Sequence, residues 1–74
     1  MTTPAVYQAF GARVRMIREA LGLDQGELAK RIGLTRTSVT NIEAGRQEVD
    51  LDRAASIAAA LGTSPKHLMR GIWW

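Results

Sequence analysis

Residues 24–47 read DQGELAKRIGLTRTSVTNIEAGRQ, and the order of capping, apolar and small residues in this stretch decides the fold. Asp24 is placed to accept from the free N–H groups of a first helical turn, with Glu27 behind it as in a capping box. Leu28 and Ile32 give that helix an inner face. Gly33 then stops it, because glycine enters the left-handed conformation without a Cβ penalty. Thr35 follows as a second cap, so a further helix is predicted from Arg36 to about Ala44, ended by Gly45. Val39 and Ile42 face inward on it. At about 100° per residue, Arg36, Thr37, Thr40, Asn41 and Ala44 are left on the opposite side. Ala29 is small where the next helix must cross, and Gly33 lets the chain reverse within a short turn.

Working outward, Phe10, Val14, Ile17 and Leu21 recur at helical spacing and form an apolar stripe that Gly22 ends. Downstream, Arg46 to Val49 reads as a polar loop. Asp50 caps a fourth helix containing Leu51, Ala54, Ile57, Ala58 and Leu61, and Gly62 terminates it. Ser64 and Pro65 supply a cap and a first-turn proline for a short fifth helix carrying Leu68 and reaching toward Ile72. No strand signal, repeat or low-complexity tract interrupts the pattern. The expected fold is all-α, a compact five-helix bundle with a helix-turn-helix over residues 25–44, in a single domain spanning 1–74.

Composition narrows the function. The 74 residues hold no cysteine and one histidine, so neither disulfides nor a thiolate or histidine-cluster metal site is expected. No cofactor and no small-molecule ligand is expected either. No segment reaches the roughly 18 apolar residues of a spanning helix, and the N-terminus lacks the pattern of a secretory leader. A cytoplasmic protein with no membrane partner is expected. Ten Lys or Arg against seven Asp or Glu give a net charge of +3, which favours a polyanionic partner without choosing one. The chain offers no paired acid and base, no activated nucleophile and no Gly-rich phosphate loop, so an enzyme is not expected.

The stretch quoted above, together with IAAALGTS at 57–64, resembles the lambda-repressor-like family over nearly the whole chain. These are the small five-helix DNA-binding domains of phage repressors, Cro-type proteins and restriction-modification controllers. The resemblance implies a partner in double-stranded DNA, entered at the major groove of an operator. It also implies that Arg36, Thr37, Thr40 and Asn41 hold base-reading positions. Arg36 has the fork that donates twice to guanine, although a phosphate is also within its chemistry. Asn41 suits adenine or is simply solvated, and the two threonines suit a thymine methyl or a phosphate. Gln25 resembles the family glutamine that clamps a phosphate at a helix N-terminus. Arg46 and Gln47 fall in the loop that the family turns toward the sugar-phosphate chain. Arg18 and Glu43 sit beside the core by helical phase, and the family pairs them, implying an ion pair that orients the third helix. Lys30, Arg31, Arg13 and Arg15 are read as the wet faces of their helices, and His67 as a residue that caps or packs.

One such helix reads few base pairs, so a homodimer on a two-fold site is expected. With no separate dimerisation segment, the interface is expected in the far end of the fourth helix, the fifth helix and the tail Ile72, Trp73 and Trp74 in 70–74. The tail's alternative is to fold back onto its own bundle. The function expected is a transcriptional regulator, either a repressor or a restriction-modification controller. An antitoxin, or a protein-interaction module that kept the fold without DNA binding, stands as the alternative.

Overall fold

A computed structural model describes residues 4–72, so Trp73 and Trp74 lie outside the described residues. Five helices run in chain order: α1 (Pro4–Ala20), α2 (Gln25–Ile32), α3 (Arg36–Glu43), α4 (Leu51–Ala60) and α5 (Pro65–Met69). The caps fall where the sequence puts them. Asp24 Oδ1 accepts the Glu27 N–H at 2.8 Å while Glu27 Oε1 accepts the Asp24 N–H at 2.9 Å, a reciprocal box at the start of α2. Thr35, Asp50 and Ser64 accept from Ser38, Arg53 and His67 at 3.1, 2.7 and 3.1 Å and start α3, α4 and α5.

Every helix sends apolar residues into one core: Phe10 and Val14 from α1, Leu28 and Ala29 from α2, Val39 and Ile42 from α3, Ile57 and Ala58 from α4, Leu68 from α5. Each large side chain in that set contributes about 1.5–3 kcal/mol by leaving water. Two corrections arise at the ends of the apolar stripes. Leu21, just past the end of α1, is 52 % exposed, and Leu51, the first residue of α4, is 88 % exposed. The fifth helix also stops at Met69; Ile72 sits in the following turn, its N–H donated to the Met69 carbonyl at 2.9 Å.

Two features set how α3 is held. At the joint, Gly33 takes φ 68° and the Leu34 N–H returns to the Ala29 carbonyl at 2.9 Å. The reversal is therefore closed by backbone hydrogen bonds, and α2 and α3 pack directly against each other. At the far end, α1 crosses over the last turn of α3 at Gly11. A Cβ there would meet the Ile42 carbonyl oxygen and would lie 2.7 Å from the Glu43 carbonyl oxygen. Only a glycine permits this approach of helix to backbone. Glycine in a helix interior costs about 0.5–1 kcal/mol relative to alanine, so its presence in α1 is the one sign the sequence offers of a close crossing.

Arginines close several helix C-termini, which the sequence analysis missed. Arg13 donates to the carbonyls of His67 at 3.2 Å and Arg70 at 3.0 Å, at the end of α5. Arg31 donates to Ala60 at 3.1 Å, and Arg53 to Ile32 at 3.3 Å. Orphan carbonyls at a helix C-terminus attract cations of this kind. Arg13 and Arg31 are thus structural rather than merely solvated, and His67 stays exposed, contributing its backbone to these bonds.

Candidate nucleic-acid interface

The outward side of α3 is polar because its inward side is committed to the core. Val39 and Ile42 are each 1 % exposed, whereas Arg36, Thr37 and Thr40 are exposed and Asn41 is half-buried. Arg36 and Thr37 occupy the first turn, immediately after the Thr35 cap. Asn41 lies one turn on and is tied to the following loop. Its carbonyl accepts the Arg46 N–H at 2.9 Å, and Arg46 Nη1 lies 3.5 Å from Asn41 Oδ1, at the far edge of hydrogen bonding. Arg46 itself is exposed and Gln47 half-buried. Gly45 turns the chain into this loop at φ 74°, and the position a Cβ would take is 2.6 Å from Gln8 Cα of α1. The loop is therefore anchored on α1 as well as on α3.

Beneath this surface lies the ion pair expected between α1 and α3. Arg18 and Glu43 are only 7 % and 8 % exposed. The guanidinium grips the carboxylate with both arms, Nε to Oε2 at 2.7 Å and Nη2 to Oε1 at 3.0 Å, while Nη1 donates to the Leu23 carbonyl at 2.8 Å. The hydrogen bond to Glu43 raises the Arg18 pKa above its ordinary value, outweighing the opposing effect of burial. A buried pair of this geometry adds little net stability over an apolar pair, but it fixes relative position.

Gln25 connects the buried pair to the exposed face. Its Nε2 donates to Glu43 Oε1 at 3.0 Å, and its Oε1 accepts the Thr40 hydroxyl at 2.8 Å. Helical phase placed Thr40 on this face and the resemblance gave Gln25 a phosphate-clamping position on α2; the structure ties the two to each other, and Gln25 to Glu43. The Asp24 carboxylate that caps α2 has its pKa lowered, chiefly by the Glu27 N–H and in small part by the positive charge of Arg36. Among the described residues no group of acidic, histidine or cysteine side chains is arranged to hold a metal ion, and no helix is long and apolar enough to cross a membrane.

Two short helices folded on each other at a left-handed glycine, one with its apolar side buried and its polar side outward, define a helix-turn-helix domain. The chain belongs to the helix-turn-helix family HTH_3, whose profile matches residues 14–68. It is 41% identical over 61 residues to the control protein C.BamHI of Bacillus amyloliquefaciens, covering 81% of this chain and 75% of that protein. Its fold superposes on the restriction-modification controller C.AhdI of Aeromonas hydrophila with a TM-score of 0.81 at 39% identity, covering 84% of this chain and 94% of that one. The DNA-binding domain of the P22 C2 repressor matches with a TM-score of 0.81 at 28% identity, over 88% of this chain and 86% of that one. The all-α, five-helix expectation and the family resemblance both stand.

Proposed function

We propose that this chain, a DNA-binding transcriptional regulator, acts in the cytoplasm as a homodimer that reads a two-fold operator through the outward face of α3. The observation that carries the proposal is the division of α3. Val39 and Ile42 are buried, whereas Arg36 and Thr37 stand exposed on the first turn. The first turn of a recognition helix is the part that reaches base edges in the major groove. Of the four positions given by the resemblance, Arg36, Thr37 and Asn41 are the base-reading candidates, with Arg36 suited to guanine O6 and N7, whereas Thr40 donates its hydroxyl proton to Gln25. Gln25 at the start of α2, with Arg46 and Gln47 in the loop after α3, is suited to phosphates on either side of that groove. Control over a neighbouring or its own promoter, as a repressor or a restriction-modification controller, fits the relatives that the chain matches.

A second copy is proposed to seat on the face where α1, α4 and α5 meet. That face holds an open groove of about 830 Å³, lined almost wholly by apolar atoms of Val6, Tyr7, Phe10, Leu51, Ala54 and Met69. Leu51 stands at its edge, 88 % exposed. Met69 on this lining accepts the Ile72 N–H at 2.9 Å, and the sequence continues from there with Trp73 and Trp74. Tryptophan is a favoured interface anchor. The α4 contribution on this face comes from Leu51 at the start of the helix, not from the far end read from the sequence, and it joins the tail expected there.

Selection of bound duplexes from a random pool, followed by titration at several salt concentrations, tests the proposal. The expected result is a two-fold motif with affinity that falls steeply with salt. In Arg36→Ala, affinity should fall by about five- to 150-fold, with relaxed preference at one base pair of each half-site. Binding with neither sequence preference nor salt dependence would overturn the proposal in favour of a protein-interaction role.

A further inference from the structure

We propose that Thr40 is a positioning residue: its hydroxyl proton is used within the protein rather than on a base acceptor, and it orients the Gln25 amide so that the remaining N–H of that amide is presented to the DNA backbone. This rests on the interface proposed above and assigns Thr40 a different task from its neighbours on α3.

The assignment follows from donor and acceptor chemistry along one chain of bonds. Glu43 is a carboxylate paired with Arg18 and can only accept. The end of the Gln25 side chain facing it at 3.0 Å must therefore be the NH₂ group. That leaves the Gln25 carbonyl oxygen toward Thr40 at 2.8 Å, and a carbonyl can only accept, so the Thr40 hydroxyl must be the donor. A hydroxyl has one proton. Its second acceptor, the Arg36 carbonyl at 3.1 Å, also belongs to the protein. The Gln25 contact is the shorter of the two, and with its proton given there Thr40 has none left for guanine O6 or N7, thymine O4 or adenine N7.

The consequence for Gln25 is the reverse. An isolated glutamine on a helix surface rotates freely about its last torsion and exchanges the positions of oxygen and nitrogen. Here both ends are held, the nitrogen by a buried carboxylate and the oxygen by Thr40, so the second N–H of the amide points in one fixed direction. A pre-oriented donor loses less freedom on binding a phosphate than a rotating one. The buried ion pair thereby reaches the surface through Gln25 and ends at Thr40.

Three variants of the full chain separate this from base reading: Thr40→Ser, Thr40→Val and Gln25→Ala, together with the double variant Thr40→Val/Gln25→Ala. Thr40→Ser keeps the hydroxyl and should bind the selected duplex like the wild type. Thr40→Val keeps the shape, loses the donor, and should weaken binding roughly three- to tenfold. That loss should be the same for every base pair substituted in the half-site, because a phosphate carries no sequence. In the Gln25→Ala background, Thr40→Val should cost nothing further, since the residue through which it acts is gone. The side-chain NH₂ signals of Gln25 in a ¹⁵N spectrum give a readout without DNA: two well-separated protons in the wild type and Thr40→Ser, collapsing toward the values of a free amide in Thr40→Val.

The proposal is overturned if Thr40→Val binds like the wild type, or if Thr40→Ser changes preference at one base pair as loss of a methyl contact would. It is equally overturned if the valine effect persists in full without Gln25. In each of these cases the wild type still binds its selected site. A wild-type protein with no sequence-dependent binding would instead remove the interface itself, and this proposal with it.

Discussion

Replacing Glu43 with glutamine keeps the size of the side chain and removes only its charge and one acceptor oxygen. Both oxygens are in use: Oε2 accepts from Arg18 Nε, and Oε1 accepts from both Arg18 Nη2 and Gln25 Nε2. In either amide orientation the new NH₂ group therefore faces an existing donor, and the Arg18 charge, 7 % exposed, loses its counter-charge. Breaking a buried pair by removing one partner costs about 3–5 kcal/mol. A chain of 74 residues has about 4–11 kcal/mol of total stability at roughly 0.05–0.15 kcal/mol per residue. Glu43→Gln should thus consume a large share of it, lowering the melting temperature by about 12 °C or more at about 4–8 °C per kcal/mol. Urea titration followed by circular dichroism measures the loss directly. Arg18→Met combined with Glu43→Leu should recover most of it, because an apolar pair of similar volume removes the stranded charge. A loss below about 1 kcal/mol in Glu43→Gln would refute the view that this pair and its attached glutamine act as one buried unit.

Other consequences are as open to measurement. Gly11→Ala should destabilise by at least about 1–3 kcal/mol in the same urea titration, because the added methyl meets the backbone of Ile42 and Glu43 rather than a movable side chain. The folded-state pKa of Asp24 is depressed, so its capping contribution is present above the ordinary aspartate value near 3.9 and is lost as the pH falls through the lower folded value. Thermal melts from pH 6 downward should show this loss in the wild type, and Asp24→Asn, which caps without titrating, should show a smaller acid dependence. Leu51→Glu places a charge on the most exposed large hydrophobic side chain among the described residues and should shift the sedimentation mass toward the monomer with an unchanged helical spectrum. An unaltered mass would remove Leu51 from the interface.

What the sequence by itself determined is everything held by neighbours along the chain. Caps, glycine stops and the period of apolar residues act within one or two turns, so Asp24, Gly33, Thr35, Asp50 and Ser64 located the helices, and Val39 and Ile42 fixed the inward side of α3. The polar face follows from that phase alone, which is why Arg36 and Thr37 could be singled out before any tertiary contact was known. The Arg18–Glu43 pairing was reached through resemblance, since helical phase shows only that each residue borders the core. What only the tertiary structure decided is which distant groups meet. Gly11 against the end of α3, Arg13 and Arg31 on carbonyls of other helices, and Thr40 donating to Gln25 all depend on crossing angles that no local pattern encodes. Leu21 and Leu51 show the same limit from the other side: both continue an apolar period, yet they lie exposed. Periodicity fixes the direction in which a side chain points; burial also requires that another element be there.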